Sequence, residues 1–212
     1  MDEQTLSPNT FNIELIDDTR LTPLIVDLDG TLTPTDTLVE SVIELIRQSP
    51  FYFIRLPLWL LKGRAGFKEA VANRVRIDAQ SLPYNIPLLT YLGTEKSKGR
   101  QIVLATAAHH SIAAAVATHL DLFDEVIATQ HRQNIKGCAK LAAIQQKVGE
   151  TFVYAGDSKA DIPIWRAAEG AILVGVSKRL ADKIRRDRSI WIEREFERAI
   201  NPRGSWSRIL LR

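Results

Sequence analysis

The sequence has little of what secreted and membrane-spanning chains need. Its 212 residues contain one cysteine, Cys138, so no disulfide can form within the chain. No stretch approaches the roughly 20 apolar residues of a membrane helix. The opening stretch, MDEQTLSPNTFNIELIDD, is acidic and lacks the apolar segment of a signal peptide. We therefore expect a protein of the reducing cytoplasm.

The composition is that of an ordinary globular protein, but its charge is unevenly distributed. Hydrophobic residues make up 45% and charged residues 25% of the chain, and the net charge is +3. Residues 47–76 hold seven Lys and Arg against a single acid, Glu69. No aromatic residues are interleaved with basic ones in the manner of nucleic-acid-binding motifs. We therefore expect no nucleic-acid partner.

Short apolar runs alternate with longer helical patterns over most of the chain. The runs that predict strands are 24–28, 101–105, 124–128, 151–155, 170–175 and 189–193. The segments that predict helices between them are 86–98, 110–120, 138–148, 160–168 and 177–187. This alternation is typical of crossover units, and the uninterrupted apolar character of the runs indicates strands covered on both faces. The sequence predicts an α/β fold with a parallel sheet and helices on both faces.

The first two predicted strands are separated by about seventy residues that contain no convincing strand. A helix is expected from Asp36 or Thr37 to just before Pro50. A second should cover 51–62, perturbed by Pro57 and closed by Gly63, and a third should cover 65–77. The predicted organisation is a tail at 1–20, a core formed by 21–36 and 85–212, and a helical insertion at 37–84.

The stretch LIVDLDGTLT places two carboxylates at the end of the first predicted strand. Asp27 and Asp29 are two residues apart, so both side chains point the same way along an extended chain. Gly30 and Thr31 then permit a tight exit with exposed backbone N–H groups. Two buried like charges are costly unless something stabilises them, and a bound cation is the simplest candidate.

Two further segments offer groups that suit an anion. Thr106, followed by Ala107, ends a predicted strand before a helix, where a hydroxyl and backbone N–H groups can hold an anion. Lys136, followed by Gly137, directly precedes a predicted helix, where the helix dipole does not favour a cation. A lysine at that position suggests that it binds an anionic ligand.

The stretch AGDSKAD again places two acids after an apolar strand. Asp157 stands at the strand end, and Asp161 follows it by about one helical turn. Since ligands bind at the carboxyl ends of parallel strands, these acids and those of the first strand are expected at one edge of the sheet. Carboxylate oxygens, with open positions for water and phosphate, suit Mg²⁺.

These four motifs, in this order, resemble the haloacid dehalogenase superfamily, and most of all its phosphoserine-phosphatase-like branch. The resemblance covers roughly residues 22–177. It implies a Rossmann-like core whose central strand carries the paired acids. It also implies an all-helical cap of the C1 type inserted after that strand, which matches the predicted insertion. The family's phosphatases carry a carboxylate where Asp29 stands, and its dehalogenases lack one, so the resemblance favours a phosphatase.

Carried over by position, the resemblance implies a role for each motif. Asp27 is the nucleophile that becomes an aspartyl phosphate, and Asp29 is the general acid and base. Thr106 and Lys136 bind the phosphoryl group, with Lys136 preferred over Lys140 because it directly precedes Gly137.

The resemblance also implies a Mg²⁺ site and a set of backbone contacts. The Mg²⁺ ligands are Asp27, Asp157 and the backbone carbonyl of Asp29, and Asp161 either ligates the ion or orients the site. The remaining expected substrate contacts come from Gly30, Thr31, Ala107 and Gly137.

The insertion is unusually apolar for a small surface domain. The run PFYFIRLPLWLLK at 50–62 is followed closely by basic residues, which is typical either of an ordinary cap core or of a face that contacts an anionic membrane surface. The stretches DLDGTLTPTDTLVESV and RLPLWLLKGRAGFK are also similar to the haloacid-dehalogenase-like domain that precedes UbiA-type membrane prenyltransferases. That similarity implies a sugar-phosphate or polyprenyl-linked substrate, a UbiA-type partner and a place at the inner face of the membrane. The alternative is a non-catalytic docking domain that binds lipid or such an enzyme.

Overall fold

Parallel pairing of six short strands forms the centre of the fold. The computed structural model describes residues 21–61, 63–75, 78–129 and 135–199. The strands are β1 (Leu24–Val26), β2 (Ile102–His109), β3 (Glu125–Thr129), β4 (Val153–Gly156), β5 (Gly170–Val174) and β6 (Ile192–Phe196). Every neighbouring pair is parallel, and the order across the sheet is β3-β2-β1-β4-β5-β6. The predicted parallel α/β architecture is confirmed.

Eight α-helices are present in the described parts of the chain. They are α1 (Thr37–Gln48), α2 (Tyr52–Leu60), α3 (Gly63–Ala72), α4 (Ile86–Ser97), α5 (His110–Leu120), α6 (Cys138–Val148), α7 (Ile162–Ala167) and α8 (Lys178–Arg186). Short 3-10 helices cover Ala79–Ser81 and Lys159–Asp161. None of the helices in the described ranges has the length and apolar character needed to cross a bilayer.

Several element boundaries differ from the sequence prediction. Strand β6 lies three residues later than expected, and β2 continues to His109 rather than ending near Thr106. Gly63 does not close α2: it begins α3 with a φ of +77°, a conformation that glycine adopts without strain. Pro57 lies inside α2 without ending it.

Strands β1 to β5 are largely buried on both faces of the sheet, as their apolar runs predict, whereas the edge strand β6 is mostly exposed. In β1, Leu24 and Val26 pack into one apolar cluster, and Ile25 between them packs into the other. Alternate residues of a strand point to opposite faces, so a strand covered on both sides must be apolar at every position.

Helices α1 to α3 have a small core of their own. Leu45 of α1, Trp59 of α2 and Val71 of α3 are buried together with Val75. This cluster is separate from the two that cover the sheet, so the helices between β1 and α4 pack largely on one another.

The strand order places β1 where the direction of the connections reverses. From β1 the chain builds outward to β2 and β3 on one side, and β4, β5 and β6 lie on the other. In open parallel sheets, ligands bind outside the carboxyl ends of the strands at such a reversal. The carboxyl ends of β1 and β4 are therefore the place to look for a site.

We predict that Trp165 is a major determinant of stability and that Trp191 is not. The Trp165 side chain is fully buried, and its indole N–H donates to the carbonyl oxygen of Tyr154 at 3.2 Å. Trp191 is 71% exposed. Trp165→Ala should lower the free energy of unfolding by about 3–5 kcal/mol, because it leaves a cavity. Trp191→Ala should change it by less than about 0.5 kcal/mol in the same denaturant titration. Equal losses in the two variants would contradict this assignment.

Candidate active site

The two acidic motifs meet at the carboxyl ends of β1 and β4. Asp27 directly follows β1, and its backbone N–H donates to the carbonyl oxygen of Ala155 in β4 at 3.0 Å. Asp157 directly follows β4. One carboxylate oxygen from each of Asp27, Asp157 and Asp161 lies within 4.8 Å of the others. The pairing of β1 with β4 therefore brings together acids that are more than 120 residues apart in the sequence.

Gly30 makes room for this cluster. Its φ is +82°, and a side-chain carbon built at this position would clash with the carboxylate of Asp157. Glycine is needed there both for the backbone conformation and for the close approach. Gly30 therefore shapes the site, and its expected backbone contact with substrate stays a prediction.

A buried lysine completes the acidic cluster. The Lys140 ammonium lies 2.9 Å from Oδ2 of Asp27 and 4.0 Å from Oδ1 of Asp161. It also donates to the hydroxyl of Tyr154 at 3.0 Å. Lys140 is in the first turn of α6, and it faces inward together with Ile144, one turn further on. A buried ammonium of this kind must be paired, and these three partners pair it.

The structure places Lys140, and not the favoured Lys136, against Asp27. Gly137, with a φ of +57°, separates Lys136 from α6 and leaves it exposed on the wall of a cavity above the acids. The sequence does contain a pattern that favours Lys140, although the position of Lys136 next to Gly137 favoured Lys136 in the prediction. Lys140 and Ile144 are four residues apart, so they share one face of the helix, and an apolar residue on that face marks it as the buried one.

Asp161 is held by hydrogen bonds from its own segment. Its Oδ2 accepts bonds from the backbone N–H groups of Asp157 and Ser158, at 3.2 and 3.0 Å, and from the Ser158 hydroxyl at 3.0 Å. Its Oδ1 accepts a bond from the Tyr154 hydroxyl at 3.0 Å. Of the two roles considered for Asp161, ligand or orienting residue, this geometry favours the orienting one.

Tyr154 is a site residue that the sequence analysis did not select. Its side chain is fully buried in β4, and its hydroxyl joins Lys140 to Asp161. A tyrosine in an otherwise apolar, buried strand needs a hydrogen-bond partner for its hydroxyl. That requirement was the one feature of the sequence that could have pointed to Tyr154. Which partner it finds depends on how α6 packs against β4.

Asp29 lies at the N-terminus of α1, apart from the three clustered acids. Its Oδ1 accepts a hydrogen bond from the backbone N–H of Thr37 at 2.8 Å. Burial raises the pKa of Asp29 to about 6, and this hydrogen bond opposes the rise. Asp27 and Asp29 thus occupy different surroundings although they are neighbours in sequence.

Burial and mutual repulsion also act on the clustered carboxylates. The pKa of Asp157 is raised to about 7, first by burial and then by the charges of Asp161 and Asp27. Burial raises the pKa of Asp27 as well, and the Lys140 ammonium opposes that rise. Three acids share one ammonium, so the cluster has an excess of negative charge.

This excess, and the chemistry of the donors, fit a divalent cation. Carboxylate oxygens are the ligands that hard cations prefer, and a cation would offset the repulsion among them. Asp27 and Asp157 have the most accessible oxygens for this purpose, since Asp161 is engaged by four donors. These residues are therefore suited to a divalent metal ion.

A cavity of about 510 Å³ opens above the acids. Its wall includes Asp27, Asp29 and Lys140 from the core, together with Lys68 and Phe67 from α3. The Lys68 ammonium donates to the carbonyl oxygen of Ala107 at 2.5 Å, so it links α3 to the end of β2. No local sequence pattern identified Lys68, because the approach of α3 to β2 is a tertiary contact.

The remaining predicted contacts are divided between the cavity wall and the interior. Ala107 and Gly137 line the cavity. Thr31 and Thr106 are fully buried, and the Thr106 hydroxyl accepts a bond from the backbone N–H of Ala108 at 2.9 Å. Because β2 continues to His109, Thr106 does not lie at the N-terminus of α5, contrary to expectation.

Comparison with known proteins identifies relatives of this chain. The family model of haloacid dehalogenase-like hydrolases matches residues 24–166. An uncharacterised protein of Sinorhizobium fredii is 42% identical over 167 residues, which cover 78% of this chain and 32% of that protein. This chain thus spans about a third of the length of that relative.

Solved structures share the fold at low sequence identity. A protein of unknown function from Bordetella pertussis Tohama I has a TM-score of 0.61 at 15% identity, covering 84% of this chain and 98% of that one. A haloacid-dehalogenase-family hydrolase from Salmonella enterica serovar Typhi has a TM-score of 0.55 at 16% identity, covering 83% and 68%. A phosphoserine phosphatase in its apo form has a TM-score of 0.56 at 16% identity, covering 84% and 94%. Together with the match over residues 24–166, the parallel sheet and the acids at its edge show that the chain belongs to the haloacid dehalogenase-like hydrolase family.

Proposed function

We propose that this protein is a Mg²⁺-dependent phosphatase that hydrolyses a phosphomonoester through an aspartyl phosphate on Asp27. The observation that carries the proposal is the contact of 2.9 Å between the Lys140 ammonium and Asp27, beneath a cavity and beside two further carboxylates. A carboxylate that attacks a phosphoryl group needs positive charge nearby, because the phosphoryl group is itself anionic and would repel the carboxylate. The family to which the chain belongs supports the same reaction class.

The proposed reaction has two displacements at phosphorus. In the first, a carboxylate oxygen of Asp27 attacks phosphorus while the bond to the substrate's oxygen breaks, and the Asp29 carboxyl group donates its proton to the departing alkoxide. In the second, Asp29 takes a proton from a water molecule, whose oxygen attacks the phosphorus. The bond to Asp27 then breaks, and inorganic phosphate leaves.

The surroundings of the two acids support this division of work. Asp27 is paired with an ammonium, which suits a group that must be ionised to attack. Asp29 has no such partner in the described residues, and its pKa of about 6 lets it both hold and release a proton near neutral pH. Asp27 and Asp157, with the backbone carbonyl of Asp29, would hold Mg²⁺. When bound, the ion would neutralise charge on the phosphoryl oxygens.

The helical segment supports a role as a cap. We propose that residues 37–84 cover the core formed by 21–36 and 85–212, since Phe67 and Lys68 contribute to the cavity wall. The substrate is proposed to be a sugar phosphate or a polyprenyl-linked phosphate, with a UbiA-type prenyltransferase as partner at the cytoplasmic face of the membrane. The similarity of residues 27–42 and 55–68 to prenyltransferase-associated domains supports this part of the proposal.

A purely docking function is less well supported. Burying Asp27, Lys140 and Asp161 costs free energy that apolar residues of similar size would not cost. A domain that only bound a partner would have no use for that arrangement.

The nucleophile is tested with Asp27→Asn, which keeps the size of the side chain but removes its charge. Wild-type protein should release phosphate from members of a phosphomonoester panel in Mg²⁺ and should stop in EDTA. The variant should lose at least about a thousandfold in kcat, as expected for removal of a covalent nucleophile. Its folding should be checked by circular dichroism. Substantial activity in a folded variant would exclude Asp27 as the nucleophile.

The two candidate lysines are distinguished by a matched pair, Lys140→Met and Lys136→Met. We expect kcat/KM to fall by about 10²–10³-fold in the first, because an ammonium at the reacting group is lost. In Lys136→Met, kcat/KM should fall by less than about tenfold, because Lys136 is an exposed side chain at the cavity rim. Melting temperatures show whether each variant is folded at the assay temperature. A larger loss in Lys136→Met would restore the role that the sequence alone assigned to it.

The role of the Tyr154 hydroxyl is tested with Tyr154→Phe, and Tyr84→Phe serves as control. The Tyr84 hydroxyl, which is remote from the acids, donates to the carbonyl oxygen of Ala79 at 2.8 Å. Each variant should lose about 1 kcal/mol of stability. Only Tyr154→Phe should raise the half-saturating Mg²⁺ concentration, by about tenfold or more, because Asp161 and Lys140 lose a shared partner. The same Mg²⁺ requirement in both variants would reduce Tyr154 to a packing residue.

A further inference from the structure

Helix α2 has two apolar faces, and only one of them is covered. Tyr52, Leu56 and Trp59 face inward and pack in the small core of the helical segment. On the other side, Ile54, Leu58 and Leu61 recur every three or four residues and are 71%, 61% and 83% exposed. A helix that is apolar all round is normally buried on every side. The outward side of α2 therefore lacks a partner within the described part of the chain.

The exposure is concentrated in one short segment. Among the described residues, ten large hydrophobic side chains are exposed, and six of them lie within residues 51–61. We call this segment's exposed apolar residues the outer face of α2; they are Phe51, Phe53, Ile54, Leu58, Leu60 and Leu61. A contiguous apolar patch of this kind marks an interaction site, whereas scattered exposed residues do not.

The outer face of α2 carries one exposed polar side chain, and it is basic. Pro57 and Arg55 are the other exposed residues of 51–61, so an arginine is the only exposed polar side chain there. Residues 47–76 contain seven basic side chains and one acidic one. Among the described members of that set, Arg47 lies beside Glu44, and the Arg74 guanidinium stacks on the inward-facing Trp59 ring at 4.6 Å. Arg55 is therefore the cation that the outer face itself presents. An apolar patch that carries a cation and, within residues 51–61, no exposed acid is complementary to lipid tails beneath anionic headgroups.

The outer face adjoins the cavity. Leu60 belongs to the outer face and also lines the cavity, together with Leu38 and Phe67 of the neighbouring helices. An apolar path thus leads from the exposed surface toward the acids and Lys140. This suits a substrate whose phosphate reaches Asp27 while an apolar chain remains near α2.

We propose that the outer face of α2 docks on an anionic lipid bilayer, so that the cavity receives the phosphate of a lipid-linked substrate. The docking surface stands on its own observations, and the substrate class rests on the proposed phosphatase function. A lipid surface requires only apolar side chains and cations, and the outer face with Arg55 supplies these and no other exposed polar side chain. Insertion would be shallow, as for amphipathic helices that lie in the plane of the membrane.

The test is flotation of the full 212-residue protein with vesicles. One set of vesicles is phosphatidylcholine alone, and the other contains about 30% phosphatidylglycerol, enough to give a negative surface potential. The variant is Ile54→Ser/Leu58→Ser, which makes two neighbouring positions of the outer face polar. The control is Ile86→Ser, which changes a side chain of similar exposure, 64%, at the start of α4.

We expect the wild type and Ile86→Ser to float with the anionic vesicles and much less with neutral ones. The double variant should partition at least about tenfold more weakly, because two apolar side chains no longer enter the bilayer. Binding should also weaken as salt is raised, since salt screens the attraction between Arg55 and the anionic headgroups. Absence of wild-type binding, or equal binding of the double variant, would overturn the proposal.

Sedimentation and hydrolysis distinguish membrane docking from self-association and from catalysis. Sedimentation shows whether the wild type self-associates; a dimer that the double variant abolishes, without vesicle binding, would make the outer face an interface between two copies and overturn the proposal. Hydrolysis of the phosphomonoester panel, with a polyprenyl phosphate among its members, is measured on the same proteins. Vesicle binding without any hydrolysis would retain the docking surface and refute the phosphatase. Hydrolysis without vesicle binding would support the phosphatase and overturn the docking surface.

Discussion

The structure around the candidate site depends on the ion pair between Asp27 and Lys140. Three buried or partly buried carboxylates are held close together, and without a cation their mutual repulsion would separate them. Lys140 brings one positive charge from α6, and Tyr154 extends the contact to Asp161. The position of α6 over the sheet, the local order of the segment after β4 and the reactivity proposed for Asp27 all rest on this arrangement.

The helical segment between β1 and α4 contacts the same site and lines part of the cavity over the acids. Its first helix begins at the carboxylate of Asp29, and its third reaches the end of β2 through Lys68. The segment is thus attached to the core at two points beside the cavity. Its second helix presents apolar residues both inward and outward. Exposing the outward ones would not stabilise an isolated domain, so they indicate an interaction surface. In the proposed function, these attachment points and the exposed face of α2 would together place the active site beside the docking surface.

Much of the fold and part of the site were predictable from local pattern. Apolar runs predicted the buried strands β1 to β5, since strands covered on both faces admit few polar residues. The largely polar β6 lies three residues beyond its predicted position. The predicted positions of Asp27 and Asp157 at strand ends follow from the same runs. Strand ends were less predictable: β2 continues past Thr106, because pairing with β3 extends it through a register shift, and no local signal marks that.

The sequence by itself determined the fold class, the family resemblance and the acidic residues, because each depends on short patterns of neighbouring side chains. Tertiary structure alone decided which cation meets Asp27. Lys136 is next to a glycine in sequence, but Lys140 lies on the buried side of α6, and only the packing of that helix brings its ammonium to the acid. It likewise decided that Tyr154 and Lys68 belong to the site, since long-range contacts, and not spacing along the chain, bring them there.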